Sequence, residues 1–182
     1  MPVNPLDDLR AAHEGEYFSK RDRELIGQLR QKLSVERATT DIESSGLHDH
    51  QLAGTLAELG IVRDTIPVLH LVPMVMVGWA SGQIEPEERA LLEMAARQAG
   101  VTEGSGAWTA FQGMLDSAPD KKLYDAAIAY IVAMEPEASR QSVLATARSV
   151  ANATGGLFGY LGNIERAERD ALAEVAGKLG LE

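Results

Sequence analysis

Apolar residues recur at three- and four-residue intervals along this chain, and no stretch shows the strict alternation of a half-buried strand. That pattern predicts an all-α protein. In DDLRAAHEGEYFSKRDRELIGQLRQKL, residues 7–33, Phe18, Leu25, Leu29 and Leu33 share one helical stripe with Ile26 beside it. The remaining positions carry dense charge of both signs. A helix this polar is no core element; it packs one face on a domain or pairs with a partner. VERATTDIESSG, residues 35–46, reads as a polar boundary with a Ser-Ser-Gly break. The chain therefore divides into a charged amphipathic helical arm, 1–40, and a helical domain, 44–182.

Within the domain, LHDHQLAGTLAELGIV places Leu47, Leu52, Leu56 and Leu59 at helical spacing before a stop at Gly60. From Thr65 to Ala80 the apolar content is continuous, as in a buried central helix, and Pro73 predicts a kink or a break. Glu85 to Gln98 is the next helix, followed by the Gly-rich turn GVTEGSGA. WTAFQGMLDSAP predicts a helix ended by Pro119, and Asp120 is placed to cap KKLYDAAIAYIVAM. EPEASRQSVLATARSVANATGG predicts a long helix stopped by two glycines. The last helix runs from Glu165 to Lys178 and closes at Gly180.

Two stretches repeat. WASGQIEPEERALLEMAARQAGV begins at Trp79, and GYLGNIERAERDALAEVAGKLGL follows at an offset of 80. Gly82 meets Gly162, Ile84 meets Ile164, Glu85 meets Glu165, Glu88 meets Glu168 and Gly100 meets Gly180. Two copies at this period do not make a solenoid. They predict one bundle built from two related helical hairpins. In each, a glycine at positive φ reverses the chain, an Ile plugs the apolar gap, and an acidic residue starts the next helix.

The spacing Gly82 to Glu88 also matches positions 6 and 12 of a calcium-binding loop. Positions 1, 3 and 5 would then be Val77, Trp79 and Ser81, and in the second copy Leu157, Gly159 and Leu161. One carboxylate per loop is far short of the six or more oxygens a hard dication needs. Helix capping accounts for the acids instead. Pro86 suits the first helical position, and Glu88 at the third reaches back to the backbone N–H of the cap. Glu85, Glu87 and Glu88 also meet the positive end of the helix dipole.

Composition narrows the function. The 182 residues carry a formal charge of −10 and no cysteine. Thiol chemistry, disulfides and zinc ribbons are excluded. Tracking a phosphate backbone needs clustered Lys and Arg, so general binding of nucleic acid is disfavoured, and anionic membranes likewise. MPVNPLDDLR lacks the apolar core of a signal peptide, and IPVLHLVPMVMVGWA falls short of a membrane span, so a cytoplasmic location is expected.

VPMVMVGWASGQIEPEERALLEMAARQAGV resembles the helical tellurite-resistance TerB-like family. Its signature is an apolar helix, then Ala-Asp-Gly, an aliphatic residue two positions on, and an acidic helix start. Ala80, Ser81, Gly82, Ile84 and Glu88 occupy that pattern, and ARSVANATGGLFGYLGNIERAERDALAEVAGKLGL resembles the second half of such proteins. The resemblance covers about 66–182. It implies a cytoplasmic helical bundle acting as a binding or stress-response module, not an enzyme. Ser81 replaces the family's Asp, and Leu161 stands there in the second copy, so no metal role carries over. EGEYFSKRDRELIGQLRQKL in the arm resembles the inhibitory helix of the F-type ATPase inhibitor, which implies an adaptor acting on a larger assembly.

The sites expected to meet a partner are therefore Trp79, Ser81, Glu85, Glu87, Glu88, Glu165 and Glu168. Gly82, Ile84, Gly162 and Ile164 are the structural turn residues. The expected partner is a protein with a basic surface, with self-association through the arm as a further possibility; no cofactor, metal or catalytic set is expected. His48, Asp49 and His50 do not share a helical face. His70 needs an acidic partner that the sequence does not identify. The glycines of ATGGLFGYLG match neither a phosphate loop nor a dinucleotide fingerprint. Met74, Met76 and Trp79 read as core.

Overall fold

The computed structural model describes residues 5–153 and 166–181, with side chains from residue 20 onward. The described residues are all-α, without a strand. The helices are α1 (Pro5–Glu43), α2 (His50–Glu58), α3 (Val72–Gly78), α4 (Pro86–Gln98), α5 (Gly106–Asp116), α6 (Lys121–Met134), α7 (Glu137–Ala151) and α8 (Arg166–Lys178). Tight 3-10 turns at Arg63–His70 and Trp79–Ser81 flank α3. The chain forms two compact units, Met1–Arg37 and Ala38–Glu182.

In the second unit α3 is the hub. Val72, Pro73, Met74, Val75, Val77 and Gly78 are all buried, and the helix packs against α6, α7 and α8. Burying an apolar run on every side is what drives such a short element to the centre. The apolar stretch 65–80 is not one helix. It is a 3-10 turn and an α-helix that meet at a bend of 44°. Pro73 is the reason: it sits in the first turn of α3, where its missing N–H costs no helical hydrogen bond. Trp79 and Met76 are only half-buried, at the edge of the core, whereas Met74 is buried.

The polar boundary is helical over 35–43, and the Ser-Ser-Gly break follows at 44–46, where the sequence places it. α1 continues to Glu43 because Thr39 and Ile42 are buried, Ile42 completely. The reversal comes at Gly46, the glycine of that break, with φ 110°. Local cap chemistry sets the other starts. Asp49, Ser105 and Asp120 each accept a hydrogen bond from the backbone N–H three residues on. α5 ends at Asp116, ahead of Pro119. α7 ends at Ala151 with Asn152 as its cap; the two glycines expected to stop it lie outside the described residues.

α8 repeats α4 position for position. Each has 13 residues, and the two begin and end at equivalent places in the repeat. In both, the third residue is a buried glutamate and the seventh a buried leucine. Both close with the same three backbone hydrogen bonds around a left-handed glycine, Gly100 at φ 81° and Gly180 at φ 68°. Val101 and Leu179, beside these stops, are buried at 1% and 0% exposure.

Candidate functional site

The repeated turn between α3 and α4 is the sequence's own candidate site. Gly82 has φ 100° and donates its N–H to the Trp79 carbonyl at 2.9 Å, so the reversal uses glycine's left-handed freedom. Ile84 is half-buried. It closes over Gly78, on which Leu92 and Val150 also converge; a methyl group at Gly78 would lie 3.6 Å from each of the three. The α4 cap forms as its spacing predicts: Glu85 donates its backbone N–H to Glu88 Oε2 at 2.9 Å.

The same geometry removes two residues from any partner-facing surface. Glu88 is 0% exposed and Glu168 2%. At the third position of α4 the Glu88 carboxylate points back to the cap, because a side chain leans toward the N-terminus of its own helix. The expectation of an acidic surface therefore does not hold for Glu88 or Glu168. Glu85 is half-buried, and its Oε1 accepts a hydrogen bond from the Gln83 amide. Glu87 and Ser81 are exposed, and Ser81 donates to the Gln83 carbonyl at 2.9 Å. Trp79 donates its indole N–H to the Met114 carbonyl at 2.9 Å, which ties the turn to α5. Arg89 reinforces that tie, reaching Gln112 at 2.8 Å and Asp116 at 3.2 Å. Gly162, Ile164 and Glu165, the expected counterparts in the second copy, lie outside the described residues.

Two clusters escaped sequence reasoning because their members are distant in the chain. His70 Nε2 lies 3.1 Å from Glu135 Oε1, with its ring edge-on to Tyr130 at 6.1 Å. Glu135 is the acidic partner that the sequence did not reveal. On α6 and α8, Lys178 stands 4.5 Å above the Tyr124 ring and contacts Asp125 at 2.6 Å and Glu174 at 3.1 Å. Burial, with Glu174 nearby, pushes the Tyr124 hydroxyl up to about 12. The hydrogen bonds from Lys121 and Lys178 hold Asp125 below the usual carboxylate range. In the stretch around His48, Asp49 is the α2 cap and His50 Nδ1 pairs with Glu43 at 2.7 Å. No group of three His, Asp or Glu side chains that could hold a metal occurs among the described residues.

The arm presents a different surface. Leu25, Ile26, Leu29 and Leu33 are 48–55% exposed. Beside them a hollow of about 390 Å³ is lined by Lys20, Arg21, Glu24, Leu25 and Gln28. Among the described residues no single helix is long and apolar enough to cross a membrane. Compared with known proteins, the chain matches no family model, no curated protein and no solved structure.

Proposed function

We propose that this chain is a non-catalytic binding module of TerB-like build, and that the arm carries its principal contact. The observation behind this reading is the run Leu25, Ile26, Leu29 and Leu33, each about half exposed within the unit Met1–Arg37. A helix that keeps such a stripe in water gains free energy when a partner covers it. The matching lengths, starts and stops of α4 and α8 support the two-hairpin TerB-like reading of the domain. Its charged side chains serve as caps and inter-helix ties, as Asp49, Asp120 and Arg89 do, which suits a scaffold.

The second reading keeps the contact on the domain. There Glu87, exposed at the start of α4 beside Ser81, meets a basic partner. A photo-crosslinking amino acid placed at position 29, or at position 87, separates the two in cells producing the full chain. The arm reading expects a heavier adduct from position 29 and none from 87. The reverse pattern moves the contact to the domain. Adducts from neither position overturn the binding reading.

A further inference from the structure

The whole chain is acidic, but its charge is divided. Residues 38–182 carry ten Lys and Arg against twenty Asp and Glu, whereas residues 20–37 carry six cations against three carboxylates. The cations of that segment are placed with respect to the apolar stripe. At 100° per residue, Leu25, Leu29, Leu33 and Ile26 span an arc of about 100°. Arg23, Arg30 and Arg37 recur every seven residues along the border next to Ile26 and Leu33. Arg21 and Lys32 lie along the other border, next to Leu25. Asp22 and Glu36 fall inside the arc, one turn before and one turn after the leucines, and Asp22 separates them from Phe18 on the same stripe.

From this pattern we infer that the arm docks into an apolar protein groove about 12 Å long, the eight rises of about 1.5 Å from Leu25 to Leu33, whose rims carry carboxylates. The inference rests on the arm reading above and adds the chemistry of the partner. A second copy of this chain does not fit. In a parallel pair each border faces the opposite border of its partner, and in an antiparallel pair each faces its own counterpart. Both arrangements set cations against cations along the whole seam. A bilayer fits less well than a groove. An interfacial helix submerges its entire apolar arc, and here Asp22 and Glu36 would be carried below the headgroups with it. At the ends of a short groove the same two carboxylates stay in water.

The test uses the full-length protein and a synthetic helical peptide with Leu at its a and d positions and Glu along both flanks. Its controls are the same peptide with Lys in place of Glu, and vesicles of phosphatidylcholine and phosphatidylserine in equal parts. We expect binding to the Glu peptide, at least tenfold weaker binding to the Lys peptide, and weakening as salt rises. Leu29→Asp should abolish binding. Arg30→Glu with Arg37→Glu should reverse the preference between the peptides. Circular dichroism establishes that both variants keep wild-type helicity. Sedimentation with the vesicles in preference to the Glu peptide overturns the inference in favour of a lipid surface. A dimer in ultracentrifugation that Leu29→Asp dissociates overturns it in favour of a second copy. Indifference to peptide charge overturns it too. If position 29 still yields a crosslink in cells, that last result leaves the arm reading standing and removes only the assignment of an acidic rim.

Discussion

Two glycines four residues apart, Gly78 at the end of α3 and Gly82 in the turn after it, illustrate how differently one residue type is used. At Gly82 the backbone has φ 100° and a Cβ would meet nothing within 4 Å, so conformation alone demands glycine. Gly82→Ala should destabilise the fold by about 1–2 kcal/mol through backbone strain. Gly78 has ordinary helical angles, φ −60° and ψ −33°, and a Cβ there would make normal contacts at 3.6 Å. Gly78→Ala should be tolerated or stabilise by up to about 1 kcal/mol, through the entropy it removes from the unfolded chain. Urea unfolding of the two variants checks the contrast, and equal losses would contradict it. Glu88 is the other informative residue. Truncating this buried, cap-bonded side chain in Glu88→Ala should cost about 2–4 kcal/mol, combining the lost cap with an unfilled site. Glu88→Gln should cost clearly less, because the amide oxygen can still accept the Glu85 N–H. A loss in Glu88→Gln as large as in Glu88→Ala, by the same unfolding assay, would show that the negative charge and not the cap is what the site requires.

Among the elements, α6 and α8 share the contact most open to titration. Tyr124 is 4% exposed beneath Lys178, and its hydroxyl is pushed from 10.0 up to about 12 by burial, with Glu174 adding to the shift. A group whose folded pKa is raised contributes stability that is fully present below the unfolded value and is lost as pH climbs to the folded one. The window is therefore pH 10 to about 12. Within it, one proton changes stability by at most about 1.4 kcal/mol per pH unit. Lys178 is raised as well, mainly by its hydrogen bond to Asp125, so it loses stability in the same direction on the alkaline side. Tyr124→Phe keeps the ring packed and removes one of the two titrations. Its stability should fall less steeply than wild type across the window in denaturation at stepped pH; identical slopes would rule Tyr124 out as the source.

On the scale of the molecule the division of charge matters most. Residues 38–182 hold an excess of ten carboxylates. Self-repulsion at that density opposes compaction, and salt screens it over a Debye length of about 10 Å at 0.1 M. The melting temperature should therefore rise between about 0.01 and 0.3 M sodium chloride, while binding of acidic ligands to the arm weakens over the same range. A melting temperature that falls with salt would mean that the surface ion pairs, such as Arg97 with Glu103 at 2.8 Å, outweigh the repulsion. The balance is expected to favour repulsion because exposed pairs of this kind contribute little individually.

What could be read from the sequence is what short-range chemistry decides. The helical class follows from apolar spacing. The cap at Asp120 and the stops at Gly60, Gly100 and Gly180 follow from side chains and backbone within a few residues of each other. The matching frames of α4 and α8 follow because each copy carries the same local signals at both ends. Other features needed the folded chain. The Ser-Ser-Gly break was legible, but that the helix runs through 35–43 up to it depended on a core able to receive Thr39 and Ile42. His70 and Glu135 stand 65 positions apart, and Lys178 and Asp125 stand 53 apart, so only packing brings them together. The placement of Glu88 and Glu168 turns on the same distinction. Their spacing predicts a cap, and a cap is compatible with either a solvated or an enclosed carboxylate. Enclosure came from the tertiary packing that buries both side chains, and no pattern within one helix specifies what will lie against it.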